Sequence, residues 1–241
     1  MGPSLDVSDD LASAGVHAGG LVLALLFSFY LLRRAEDPVA RFAIRALGLA
    51  WVVLYLASIS YHLKHLEAPW DPLTTALDDG AIFVAIAGTY TPVALLILPP
   101  LDGRVAVRLL WCAAAAGAST GFVMIVAGDL SWYQPSVLVI CSIYGWGPAI
   151  AYCRTLRRAM PRGAGFLILA SGVVYVAGSY FYRDHSVPWH HTYWHMAVVI
   201  GSLLDFTAIA ALLAATRQRA WHPREIKIDQ RGGETVRKRL D

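Results

Sequence analysis

Four histidines crowd into residues 185–195, HSVPWHHTYWH, at the head of an apolar run, MAVVIGSLLDFTAIAALLAA. His191 and His195 are four apart, so on a helix their imidazoles project from one face, about 6 Å apart along the axis. That spacing lets two neutral imidazoles meet one metal ion. The pair alone is a weak signal, but two further fragments add to it. SISYH sets Ser58 and His62 at the same offset, and LDDGAIF sets Asp78 at the head of another apolar run. Three imidazoles and a carboxylate gathered at one depth form the donor set of a catalytic zinc site, with one position left for water.

Helices across a membrane are what must position these groups. The 241 residues are 57% hydrophobic and only 15% charged, with a mean hydropathy of +0.52; a soluble domain carries roughly a quarter charged residues. A span needs about 20 apolar residues, and seven runs approach that length: 11–32, 42–62, 77–98, 105–127, 134–153, 163–182 and 191–214. Turn residues separate them, as in RRAEDPVAR, LEAPWDP, PPLDGR, MPRG and HSVPW. The small-residue run CAAAAGASTG, 112–121, predicts a helix pressed closely on its neighbours. The expected architecture is an all-α membrane protein, seven transmembrane helices in a single bundle, with a zinc site near one membrane face. Residues 1–10 form an N-terminal segment, 11–214 the bundle and 215–241 a basic, mobile cytoplasmic tail. The second and seventh spans run in the same direction and the third runs opposite. His62, at the end of the second span, Asp78, in the first turn of the third, and His191 and His195 therefore share one face.

Charge sets the orientation. Of the 20 Lys and Arg, only Lys64 and Arg183 fall on the side of the N-terminus in a seven-span chain. The positive-inside rule then places the C-terminus in the cytoplasm and the N-terminus outside, in a multi-pass protein of the plasma membrane. MGPSLDVSDD lacks the basic start of a secretory signal, so the first apolar run is expected to stay as a span. Cys112, Cys141 and Cys153 sit in apolar runs without CxxC spacing and read as filler. Nothing in the composition points to nucleic acid, and none of it fixes an oligomeric state.

The fragments SISYH, LDDGAIFVAIAGTYTP, GVVYVAGSYFY and HTYWH resemble the signature segments of the bacterial hemolysin III family, over roughly residues 9–212. That family is related to the progestin and adipoQ receptors and to the alkaline ceramidases. The resemblance implies seven helices and a zinc held by His62, His191 and His195. It also implies that Asp78, rather than Asp79, holds the zinc-bound water, and that Ser58 bonds near it. Two departures stand out. SDDLASAGVH keeps Asp9, Asp10 and His17 but has Ser13 where bacterial relatives usually carry Asn, and Asp205 replaces a His frequent in the last span. The adipoQ-type receptors have a cytoplasmic N-terminus, opposite to the orientation that the charges give here.

His17, about two turns into the first span, is a candidate to support the metal ligands. Asp205 lies about 15 Å deeper than His195. An acid at that depth is a functional-site candidate, its rival being a helix–helix hydrogen bond. Pro92 is expected to bend the third helix and free a carbonyl near Gly88, beside Tyr90 and Thr91. Trp70, Trp132, Tyr133, Trp189 and Trp194 suit an aromatic belt. His65, His185 and His190 read as loop residues, and His222 as part of the tail. The leading functional expectation is a zinc-dependent hydrolase of lipid amides or esters, with membrane lipid as solvent and substrate. Its rivals are a non-catalytic sensor in which zinc staples helices together and, last, a pore-former.

Overall fold

A computed structural model describes residues 7–67, 71–128, 133–184 and 186–221. Among the described residues every regular element is a helix: α1 (Val7–Arg34), α2 (Pro38–His65), α3 (Pro72–Ile97), α4 (Pro100–Val126), α5 (Tyr133–Ala151), α6 (Cys153–Ala159), α7 (Arg162–Arg183) and α8 (His190–Trp221). Helix ends follow local chemistry. Asp9 and Asp10 occupy the first turn of α1 and Arg33 and Arg34 its last, each complementing the helix dipole. Asp37 caps α2 by accepting from the Ala40 N–H at 2.9 Å, with Pro38 opening the helix. Asp71 caps α3 in the same way, accepting from the Thr74 N–H at 3.3 Å and its hydroxyl at 2.7 Å, and the hydroxyl bond holds its carboxyl below the usual carboxylate range.

That cap starts α3 at Pro72, earlier than the expected 77, so Asp78 stands in the second turn rather than the first. The expected fifth span is also two pieces. The helix breaks at Tyr152, whose φ of −104° and ψ of 16° leave the helical region, and α5 and α6 meet at a 63° bend. Among the described residues six helices are long and apolar enough to cross a membrane, and seven spans result if the bent pair counts as one. α8 runs past the expected end at 214 to Trp221; residues 222–241, with most of the expected tail and His222, lie outside the described residues.

α1 packs on α2 and α8, α2 on α3, α3 on α4, and α7 on α8, while α5 stands more loosely beside α3 and α7. α3 is the axis of the bundle: 61% of its apolar window is buried, against 22% for α1 and α4 and 17% for α7. Outer faces carry exposed Leu26, Phe29, Leu49, Leu109, Ile143 and Phe166, as a surface solvated by lipid requires. The small-residue run of α4 does press on its neighbour, along one stripe. A Cβ on Gly117 would lie 2.6 Å from the Phe83 ring of α3. α3 continues through Pro92, where the Thr91 hydroxyl donates to the Ala87 carbonyl at 2.8 Å and accepts from Trp111 Nε1 at 3.1 Å.

Candidate metal centre

α1 packs on both α2 and α8, and the last turn of α2 meets the first turns of α8 through side chains. Asp9, buried in the first turn of α1, accepts from the backbone N–H groups of His191 (3.3 Å) and Thr192 (2.9 Å) and from the Thr192 hydroxyl (2.5 Å). A carboxylate from one helix thus caps the N-terminus of another, where the orphan N–H groups and the dipole favour negative charge. Ser13 shares a hydrogen bond with Thr192 Oγ1 at 3.3 Å. Just upstream Trp189 takes a φ of 60°, a left-handed turn that a bulky residue rarely adopts.

Within this frame His62, His191 and His195 each present a ligand atom, all within 4.8 Å of one another. His62 and His195 are almost fully buried and His191 half-buried. Their ring centroids lie 4.7–5.0 Å apart. Asp10 accepts from His62 Nδ1 at 2.8 Å, which fixes the tautomer and turns the Nε2 lone pair inward. There His62 Nε2 meets His195 Nε2 at 2.7 Å. His195 Nδ1 has no hydrogen-bond partner, and neither ring nitrogen of buried His17 has one. The His17 ring stands edge-on to His195 at 4.0 Å and to Tyr55 at 5.1 Å. Buried polar nitrogens left without partners cost free energy, and three imidazoles with ligand atoms this close together are the chemistry of a cation site. The donor set fits a metal ion.

Ser58 is fully buried one turn from His62. Asp78 of α3 stands near Ser58, and it and Asp79 both lie near Tyr61, with Cys141 of α5 also near Asp79. The carboxylate of Asp78 stands outside the group of three imidazoles. The acidic pair Asp9 and Asp10, together with Thr192, are the site residues that spacing arguments left without roles. Their signal was two carboxylates opening an apolar helix.

Other expectations fare unevenly. His190 is the first residue of α8 rather than a loop residue, with Nδ1 3.1 Å from the Phe181 carbonyl. Trp194 is 8% exposed and belongs to the core rather than to a belt, because it falls on the inward face of α8 next to His195. Trp189 is exposed. Trp70, Trp132 and His185 lie outside the described residues, as do the side chains of His65 and Tyr133. Asp205, 2% exposed, accepts from Ser171 at 2.5 Å and Tyr175 at 2.8 Å, so the helix–helix bond that rivalled a functional acid is present, between α7 and α8.

Fold and site together define a multi-pass helical membrane protein with three clustered imidazoles able to hold a metal ion. The chain belongs to the family described as haemolysin-III related, which matches residues 6–216. It is 30% identical over 207 residues to Hemolysin-3 of Bacillus cereus, covering 84% of this chain and 91% of that protein. It is 29% identical over 216 residues to the Hemolysin-3 homolog of Bacillus subtilis (strain 168), covering 84% and 93%.

Proposed function

We propose that the protein is a zinc-dependent hydrolase of lipid amides or esters, with His62, His191 and His195 as the metal ligands. The observation that carries this reading is the gathering of three imidazole donors within 4.8 Å, with buried Ser58 one turn from His62 and half-buried Asp78 near Ser58. An all-imidazole set suits Zn²⁺. When bound, the metal would supply a water of lowered pKa and polarise the scissile carbonyl. Asp10 orients His62, and Asp9 holds the turn of α8 that carries His191. Asp78 takes a proton from the attacking water and returns it to the leaving group. Ser58, one turn from His62, donates to the developing oxyanion. His17 packs against His195 and fixes its ring. The site lies about one turn inside the bundle end, which suits a substrate whose acyl chain stays in the bilayer.

The rest of the reading concerns placement. Counting the bent α5–α6 pair as one span gives a single bundle of seven helices, followed by a basic cytoplasmic tail. The basic asymmetry puts the N-terminus outside and the zinc near the outer face of the plasma membrane. C-terminal reporter fusions active only outside would reverse that orientation.

A second reading, a sensor in which zinc staples α2 to α8, draws on the direct His62–His195 contact. Pore formation, which the relatives' name evokes, ranks last for a chain of membrane-resident helices.

Purified wild type should hold near one equivalent of zinc and release product from a long-chain amide or ester. His191→Ala should lose most of the metal. Asp78→Asn should keep zinc and fold while losing on the order of 10²–10⁴ in rate, the usual contribution of a positioned acid–base group. Zinc unchanged in all three histidine variants would overturn the ligand assignment. Product release unchanged in Asp78→Asn would remove Asp78 from the mechanism, and no turnover across a broad lipid panel would favour the sensor.

A further inference from the structure

The metal centre leaves unused a cavity and, in its wall, the buried carboxylate of Asp205. A cavity of about 150 Å³ lies among α2, α3, α5, α7 and α8, with Asp205, Trp51, Tyr90, Trp146 and Tyr175 in its wall. The wall is otherwise largely apolar. Leu169 and Val176, exposed on the outer side of α7, also form part of it, so the cavity opens sideways toward the surroundings of the bundle. The two oxygens of Asp205 each accept one hydroxyl, and no Lys, Arg or His forms an ion pair with it among the described residues.

The aromatic wall is built. Trp51 and Tyr175 stack with centroids 6.4 Å apart. The polar tips of the rings are committed to the helices: Trp51 Nε1 donates to Thr89 at 3.1 Å and Tyr90 OH to the Gly145 carbonyl at 2.5 Å. Two glycines make room for the others. A Cβ on Gly172 would lie 2.8 Å from the Trp146 ring, and one on Gly201 would overlap the Tyr175 ring outright.

A carboxylate set among aromatic rings in an apolar cavity is the chemistry that receives a cation. A cation there offsets the cost of a charge at membrane depth, and the pair enters the low-dielectric region as a neutral unit. One carboxylate is too few oxygens for a divalent metal, and a lateral opening favours a ligand with an apolar body. A helix–helix hydrogen bond alone would require neither the cavity nor the rings. We propose that the Asp205 cavity binds a lipophilic primary amine, its ammonium on Asp205 and its chain directed out past α7. This site stands whether or not the imidazoles bind metal.

Decylamine and decanol, equal in chain length, separate the outcomes. The amine is cationic at neutral pH, its pKa being near that of a lysine, about 10.4. Binding to the full chain in non-ionic detergent is read by tryptophan fluorescence, to which Trp51 and Trp146 contribute. Decylamine should bind saturably, and decanol about 30-fold more weakly or worse, the factor expected when a buried charge loses its partner. Asp205→Asn, isosteric and still able to accept a hydroxyl, should lower amine affinity by a similar factor with helix content retained. Equal binding of amine and alcohol by wild type, or unchanged amine affinity in folded Asp205→Asn, would overturn the proposal. Should that variant fail to fold, the wild-type comparison decides alone.

Discussion

The histidine cluster and the Asp205 cavity are both polar sites inside an apolar bundle, yet they resolve the cost of burial in opposite ways. At the cluster, carboxylates outside the trio hold the imidazoles while nitrogens remain unsatisfied within: His195 Nδ1 and both nitrogens of His17. At the cavity the carboxylate is satisfied by Ser171 and Tyr175, and what remains is space. Lone pairs without partners call for an ion at the centre of a rigid frame. A satisfied carboxylate facing an opening calls for a ligand that brings its own charge. The cavity reaches toward the cluster, since its wall includes Trp194, adjacent to His195, and Ile82, one turn along α3 from Asp78. Even so, each region has its own set of polar groups.

The difference can be broken or sharpened by substitution. If the cluster holds zinc as proposed, Asp10→Asn should weaken its affinity about 10–100-fold, as loss of an orienting carboxylate does, the largest effect among these substitutions. Asp205→Asn should leave that affinity unchanged. Competition with a zinc chelator reads both, and equal losses would mean that the two regions act as one. Gly201→Ala acts on the cavity side. A methyl there gains up to about 1 kcal/mol of helix propensity, but it drives into a Tyr175 ring already fixed by Asp205, and overpacking costs about 1–3 kcal/mol. The expected result is a lower Tm in detergent with zinc content unchanged; a raised Tm would show that the ring yields freely. Ser13→Ala is the smallest change. It removes one hydrogen bond to Thr192, worth about 0.5–1.5 kcal/mol, and should lower Tm slightly without releasing metal.

How much of this was legible in the sequence depends on the range of the signal. Apolar runs of membrane length and turn residues between them are local, so the helices were readable, with errors where local chemistry was overlooked. Asp71 and Pro72 moved the start of α3, and the departure of Tyr152 from helical geometry split the fifth span. The i, i+4 spacing of His191 and His195 is likewise a property of one helix, and the antiparallel order of the spans was enough to bring His62 to the same end.

What the sequence determined by itself was therefore periodic and one-dimensional: spans, their faces, and the depth of each polar side chain along its axis. Lateral neighbours were decided only by tertiary structure, because rotation and pairing of helices depend on packing that no single helix encodes. That Asp9 caps α8 across 183 residues of sequence, that Asp10 turns His62 inward, and that His17 stands against His195 all follow from α1 lying between α2 and α8. That Asp205 opens onto space follows from the loose seating of α5. Depth is set by the rise of each helix, but contact is set by which helix faces which.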